Sequence, residues 1–190
     1  LRTPLTRLKL QLALLKQQDL AKKMSDDIEE MERMLNEYLE FSRHQKSEET
    51  ETVDINNLIT DIIKKYDDKQ ITVHFEENPK INIRLNTIKR CLINLIDNGL
   101  SYGKKVEIIT KKTISDLVIF IDDNGPGIPI KEYQNVMKPF YRIDKSRGQN
   151  KSGVGLGLSI ANDIIRSHGG HILLEKSPLS GLRVKISLPL

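Results

Sequence analysis

The residues best placed to do chemistry are two adjacent acids at the end of an apolar run. In "LVIFIDDNGPGIP" (117–129) a strand-like stretch delivers Asp122 and Asp123 into a turn that holds Gly125 and Gly127. Glycine at such positions permits backbone angles and a close ligand approach that a side chain would block. Asp123, held at a strand end, can accept a hydrogen bond from an amino group such as adenine's; an ordinary acidic turn would read the same way. A second cluster, "GVGLGL" (153–158), stands immediately before a helical pattern. Gly153, Gly155 and Gly157 expose backbone N–H groups there, and the positive end of the helix dipole suits phosphate; a flexible hinge would use the same residues. The third candidate is "NLIDNGLSY" (94–102), inside a long helical pattern, where Asn94 and Asn98 lie one turn apart on one face. Amides are poor helix formers. Two on one face suit a polar task, such as holding Mg²⁺ through Asn98, or are simply solvated. The loop between the glycine clusters carries Lys138, Arg142, Lys145, Arg147 and Lys151. Folded over a triphosphate these charges would neutralise its oxygens; otherwise they form a solvated basic loop.

Better-known phosphate-binding motifs are absent. No G-x-x-x-x-G-K-[ST] segment occurs, so there is no P-loop. A dinucleotide fingerprint needs a third glycine where Leu158 stands, directly after a strand rather than a charged loop. The Gly-rich loop with its strand lysine, the H-R-D and the D-F-G of protein Ser/Thr kinases are all missing.

The elements that must position these residues fall into two parts. Residues 1–44 contain no glycine and one proline. Leu1, Leu5, Leu8, Leu12 and Leu15 fall at helical spacing, and after a polar break at Gln17–Asp19 a second stripe runs Met24, Ile28, Met31, Leu35 and Tyr38. Steps of four and three make a heptad seam. The spacing predicts an antiparallel helical hairpin over 1–46, too narrow to bury both stripes alone, and hence a homodimer through residues 1–44 forming a four-helix bundle. A polar stretch, Gln45–Thr52, reads as a linker, placed at 47–53 between the hairpin and a second domain over 54–190. There Asp54 can cap a helix from Ile55 to Lys65. Strands are expected at 71–75, 81–85, 106–110, 117–121, 171–175 and 182–188. Helices are expected at 86–102 and 156–168, with a short one at 131–137. The order suits an α+β two-layer sandwich, a mixed sheet with helices on one face.

Composition narrows the partners. The 190 residues carry 38% hydrophobic and 29% charged side chains, enough to bury a core and stay soluble. No apolar run approaches the ~20 residues of a membrane-spanning helix. The net charge of +4 is spread among 26 acids, which argues against a nucleic-acid partner. A single cysteine, Cys91, rules out an internal disulfide, and His44, His74, His168 and His171 lack metal-ligand spacing.

Taken in order, the motifs resemble the N, G1, F and G2 boxes of the sensor histidine kinases, over nearly the whole chain. The resemblance implies that the second domain is the Bergerat-type sandwich shared with gyrase, the Hsp90 chaperone and the mismatch-repair ATPase, and that it binds ATP with Mg²⁺. It implies Asn98 as the Mg²⁺ ligand, Asn94 facing the phosphates, and Asp123 on the adenine amino group beside Gly125 and Gly127. Tyr102 would pack near the nucleotide. In "PFYRID" (139–144), like the F box, Phe140 would anchor the lid and Arg142 reach the terminal phosphate, with Lys145 and Arg147 nearby. Gly153, Gly155, Leu156, Gly157 and Leu158 would cradle the phosphates. The start, "LRTPL", resembles the H box just after its histidine and acid. The acceptor His would therefore precede Leu1, and Thr3 would serve dephosphorylation of the partner. "LRTPLTRLKL" is especially like kinases of the EnvZ osmosensor type. Where the family often has a basic residue three places after the metal-binding Asn, this chain has Ser101.

The implied activity is ATP-dependent phosphorylation of a histidine on the dimerisation helix and transfer to an aspartate on a response-regulator receiver domain. The whole protein would be anchored in a bacterial inner membrane with this portion cytoplasmic. Two other readings compete. A Bergerat-fold clamp ATPase would carry Glu one turn before the metal-binding Asn, where Asn94 cannot take a proton from water. A non-catalytic nucleotide-binding dimer would bind ATP without passing phosphate on.

Overall fold

The computed structural model describes residues 24–25, 28–29, 31–32, 48–67, 69–76, 79–143 and 155–190. The chain divides into two compact units, Leu1–Lys46 and Ser47–Leu190. In the first, Met24, Ser25, Ile28, Glu29, Met31 and Glu32 are all helical. Ile28 is buried while Met24 and Met31 are exposed. The rest of the expected hairpin, Thr3 included, lies outside the described residues.

In the second unit the elements run β1 (Glu51–Asp54), α1 (Ile55–Ile63), β2 (Ile71–Phe75), β3 (Lys80–Ile83), α2 (Leu85–Tyr102), β4 (Val106–Lys112) and β5 (Asp116–Asp123). A 3-10 turn (Ile130–Glu132), α3 (Tyr133–Val136), α4 (Gly157–Arg166), β6 (His171–Lys176) and β7 (Leu182–Pro189) follow. The helix starts as expected at Asp54, whose carboxylate accepts from the Asn57 amide at 3.0 Å. Ile55, Leu58, Ile59 and Ile62 then form its buried stripe.

The main sheet has the order β2-β4-β5-β7-β6, with β2 parallel to β4 and the remaining pairs antiparallel. The parallel pair is joined through α2, the right length of crossover for such a connection. Leu117, Ile119 and Ile121 of β5 and Val184, Ile186 and Leu188 of β7 are buried. Over this face lie α1, α2 and α4, which pack on one another and on the sheet; the Thr110 hydroxyl on β4 donates to Asn56 Oδ1 of α1 at 2.9 Å. The second unit is therefore the two-layer α+β sandwich that the pattern predicts.

One expectation needs correction. Part of the 47–53 linker is sheet: β1 pairs antiparallel with β3, Thr52 opposite Asn82 and Val53 opposite Ile81. Ile81 and Ile83 supply the buried side of this pair while the β1 side chains stay at the surface, so β1 reads as polar. Glu48 is not a spacer either. Its carboxylate accepts from the amides of Asn86 at 2.6 Å and Thr87 at 3.1 Å and from the Thr87 hydroxyl at 2.6 Å, capping α2 from 38 residues away in sequence.

Candidate functional site

Strand alternation sends the two adjacent acids to opposite faces of the sheet. Asp122 lies on the sheet face away from the helices, fully buried, and holds a two-point ion pair with Arg183 across the strands at 2.8 and 2.7 Å. Arg183 in turn lies over the Phe120 ring, 4.6 Å from its centroid. Asp122 is thereby committed to the sheet. Asp123 turns to the helix side, where its Oδ1 accepts from the Gly125 amide at 2.7 Å and the Leu182 amide at 3.2 Å. Burial raises its carboxyl above the ordinary range, and the Asp122 charge adds to this, against the two amides that stabilise the ionised form. A largely buried carboxylate with one oxygen holding two amides and the other uncommitted is suited to accept from a ligand amino group.

Helix α2 links this carboxylate to the other motifs. Its buried face, Ile88, Cys91, Leu92, Leu95, Ile96 and Gly99, is set by 3–4 spacing and turns Asn94 and Asn98 to partly exposed positions. Near its C-terminal end, a Cβ on Gly99 would stand 3.4 Å from Asp123 Cβ, and one on Gly125 would meet the Tyr102 carbonyl at 3.0 Å. Near its middle, a Cβ on Gly157 would lie 4.0 Å from the Asn94 carbonyl oxygen. So Asn94 adjoins the start of α4, and Tyr102, about 12 Å further along the axis, adjoins the turn of Asp123. Helix α2 therefore touches both the aspartate turn and the glycine helix start.

The α4 start fits an anion. Its N-cap is Leu156, an apolar side chain that offers no capping oxygen, and its first turn has no acid. Leu156 is buried, whereas Gly155, Gly157 and Leu158 are partly exposed. Gly155 has φ +76°, and its carbonyl accepts from the Phe140 amide at 3.0 Å. Phe140 itself sits at φ +64°, costly for a side chain of that size. Its ring is about half exposed, so the recorded anchor is its backbone. The next residue is tied down: the Tyr141 hydroxyl donates to Glu132 at 2.7 Å. Arg142 is brought to the same place, its Cγ 3.3 Å from a Cβ built on Gly155. Lys145, Arg147 and Gly153 lie outside the described residues, as does His44. Ser101 turns back on α2, donating to the Asp97 carbonyl at 2.6 Å.

Four supporting residues escaped the sequence reading. Glu48, Arg183 and the amide of Leu182 act across more than 30 residues of sequence. Asn124 is closer: its Oδ1 accepts from the amides of Lys104 and Lys105 at 2.7 and 2.8 Å, pinning the end of the β5 turn to that of α2. An Asn in a glycine turn was a readable signal for it.

Comparison with known proteins agrees with this fold. Residues 83–190 match the family described as histidine kinase-, DNA gyrase B-, and HSP90-like ATPase, and residues 1–47 match the His Kinase A (phospho-acceptor) domain. The chain is 35% identical, over its whole length, to the sensor histidine kinase GtrS of Pseudomonas aeruginosa and 34% identical to the sensor histidine kinase CpxA of Escherichia coli. It spans 40% and 45% of their lengths. The ATP binding domain of PrrB from Mycobacterium tuberculosis is similar in structure, with a TM-score of 0.61 and 27% identity, covering 74% of this chain and 97% of that one.

Proposed function

This chain belongs to the sensor histidine kinases, with a phospho-acceptor domain followed by an ATPase-like domain, and on that premise we propose that it is the ATP-dependent core of a two-component system. The observation that carries the reading is the run along α2, with Asn94 against the start of α4, whose N-cap is apolar, and Gly99 and Tyr102 against Asp123 and Gly125. A nucleotide laid along it would meet a base acceptor at one end and open helix amides at the other.

Asp123 reads the adenine amino group through the oxygen that the Gly125 and Leu182 amides leave free. The amides at Gly155, Leu156, Gly157 and Leu158 receive phosphate oxygens, Arg142 adds positive charge, and Gly127 and Tyr102 border the base. Asn98 offers a neutral hard oxygen, the donor type that Mg²⁺ accepts, on the face that Asn94 shares. A bound Mg²⁺ would supply charge neutralisation between the phosphates. Asn94 holds the position from which a carboxylate would deprotonate water, and an amide cannot do so at neutral pH, so the site favours transfer to a positioned nucleophile over hydrolysis.

The acceptor is a histidine on the first helix of the phospho-acceptor domain, in a longer form of the protein, and the phosphoryl group then passes to a response-regulator aspartate. Thr3 would assist hydrolysis of that aspartyl phosphate, which releases inorganic phosphate. Residues 1–44 form a homodimer, and the whole protein is a membrane-anchored sensor with this portion cytoplasmic; the EnvZ-type likeness concerns the first helix. To test the kinase reading, the chain is mixed with a phospho-acceptor domain that bears the histidine and with radiolabelled ATP and Mg²⁺. Acid-labile phosphate on the added domain, lost in Asn98→Ala, is expected. A steady ATPase rate without labelling would favour the clamp reading instead.

A further inference from the structure

The carboxylate of Asp123 is held from a direction that none of the glycine motifs supplies. The loop between β6 and β7 brings Gly181 directly against it, and the next amide, Leu182, makes one of the two hydrogen bonds to Oδ1, at 3.2 Å. Gly181 is buried. A Cβ at this position would overlap Asp123 Oδ1 and the Asp123 carbonyl oxygen, and would stand 2.7 Å from the Gly125 nitrogen. All three belong to the arrangement that orients the carboxylate, and two are backbone atoms that cannot swing aside. Nor can the loop easily retreat. The Ser177 amide donates to the Gly181 carbonyl, the Ser180 amide to the Ser177 carbonyl and the Leu179 amide to Ser177 Oγ, each at 3.0 Å, and Ser177 is buried.

We propose that Gly181 is a positioning residue for Asp123, so that the β6–β7 loop, as much as the 123–127 turn, sets the selectivity of the site for an adenine base. A hydrogen at position 181 allows Leu182 and Gly125 to occupy one carboxylate oxygen together and leaves the other facing the ligand. Any side chain there forces the carboxylate to turn or the loop to lift, and the acceptor moves off the base. The inference rests on the reading of Asp123 as the group that accepts from adenine.

The test compares ATP with inosine triphosphate, which carries a carbonyl where adenine has the amino group. Each displaces a fluorescent ATP analogue from the full chain in the presence of Mg²⁺. The unsubstituted chain is expected to prefer ATP by roughly 10-fold or more, the value of one hydrogen bond to a charged group. Gly181→Ala is expected to lose most of that ratio: ATP weakens about 10-fold while inosine triphosphate changes little. A merely structural glycine would weaken both nucleotides alike, and that result overturns the proposal, as does an unchanged ratio. Should Gly181→Ala fail to fold by circular dichroism, Ser177→Ala decides. It adds no atom but frees the Leu179 amide, and is expected to reduce the ratio about 2- to 3-fold; an unchanged ratio there counts against the loop. If the unsubstituted chain itself does not distinguish the two nucleotides, the adenine reading of Asp123 falls and carries this inference with it. If it does and the variants still do, only the role of the loop is overturned.

Discussion

Helices α2 and α4 pack against each other, yet their N-termini meet the same electrostatic requirement in opposite ways. Each presents unpaired amides and a partial positive charge. At α2 the chain answers with its own carboxylate. Glu48 takes the Asn86 and Thr87 amides and the Thr87 hydroxyl. Burial alone would raise its carboxyl, but these donors outweigh it and hold the group below its ordinary value. At α4 the N-cap is the apolar Leu156, the first turn has no acid, and the position that would carry one is Gly157, beside Asn94. One end is closed for stability; the other is left open where an external anion would complete it. The difference supports the proposal that α4, not α2, is the phosphate end.

The strongest way to break that comparison is to make α4 resemble α2. Gly157→Glu places a carboxylate in the first turn, and a Cβ there meets nothing closer than 4.0 Å. ATP affinity, followed by fluorescence displacement, should fall by about two orders of magnitude, while the thermal midpoint holds or rises slightly. Unaltered ATP affinity would mean that α4 is not the phosphate end. The reverse experiment opens α2. Glu48→Gln should cost about 1–2 kcal/mol in urea denaturation and change ATP affinity by less than about 2-fold, a difference too small for a lost binding group. Because the folded carboxyl lies below the ordinary 4.5, its stabilisation is present above that value and is lost as pH falls through the lower folded value. The two denaturation curves should therefore converge in acid.

A smaller effect tests the other end of α4. His168 donates from Nδ1 to the Ile164 carbonyl at 2.8 Å and accepts at Nε2 from the Arg84 amide at 3.2 Å, the tautomer that this pair of contacts requires. Burial first, and the Arg84 charge after it, lowers its pKa below 6.5. The neutral form is favoured in the fold, so stability should decline as pH falls below 6.5 toward the folded value. His168→Gln should flatten that part of the profile, measured by thermal melts between pH 7 and 5. An unchanged slope would assign it to another group.

The same contrast explains what could be read in advance. The Asp54 cap was legible because its signal is local, an acid followed by apolar residues at helical spacing. So were the asparagine face of α2 and the strand leading to Asp123. Glu48 was not, because a capping carboxylate distant in sequence leaves no trace beside the helix it caps. Asp122 and Asp123 are neighbours of identical type, and the pleat that sends one to Arg183 and the other to the helices shows why the role falls on Asp123. By sequence Gly181 is only a glycine near a turn, and it takes the fold to bring the Asp123 carboxylate against it. The β1 strand hid because most of its burial is supplied by Ile81 and Ile83 on its partner.

The account turns on whether the three motifs along α2 serve one nucleotide. Isothermal calorimetry of the chain and of Asp123→Asn, with ATP and Mg²⁺, tests this directly. One saturable site per chain is predicted, weakened at least about 10-fold by the substitution while the melting profile is kept. Folded protein that gives no heat with ATP, or an Asp123→Asn chain that binds it equally well, would contradict it.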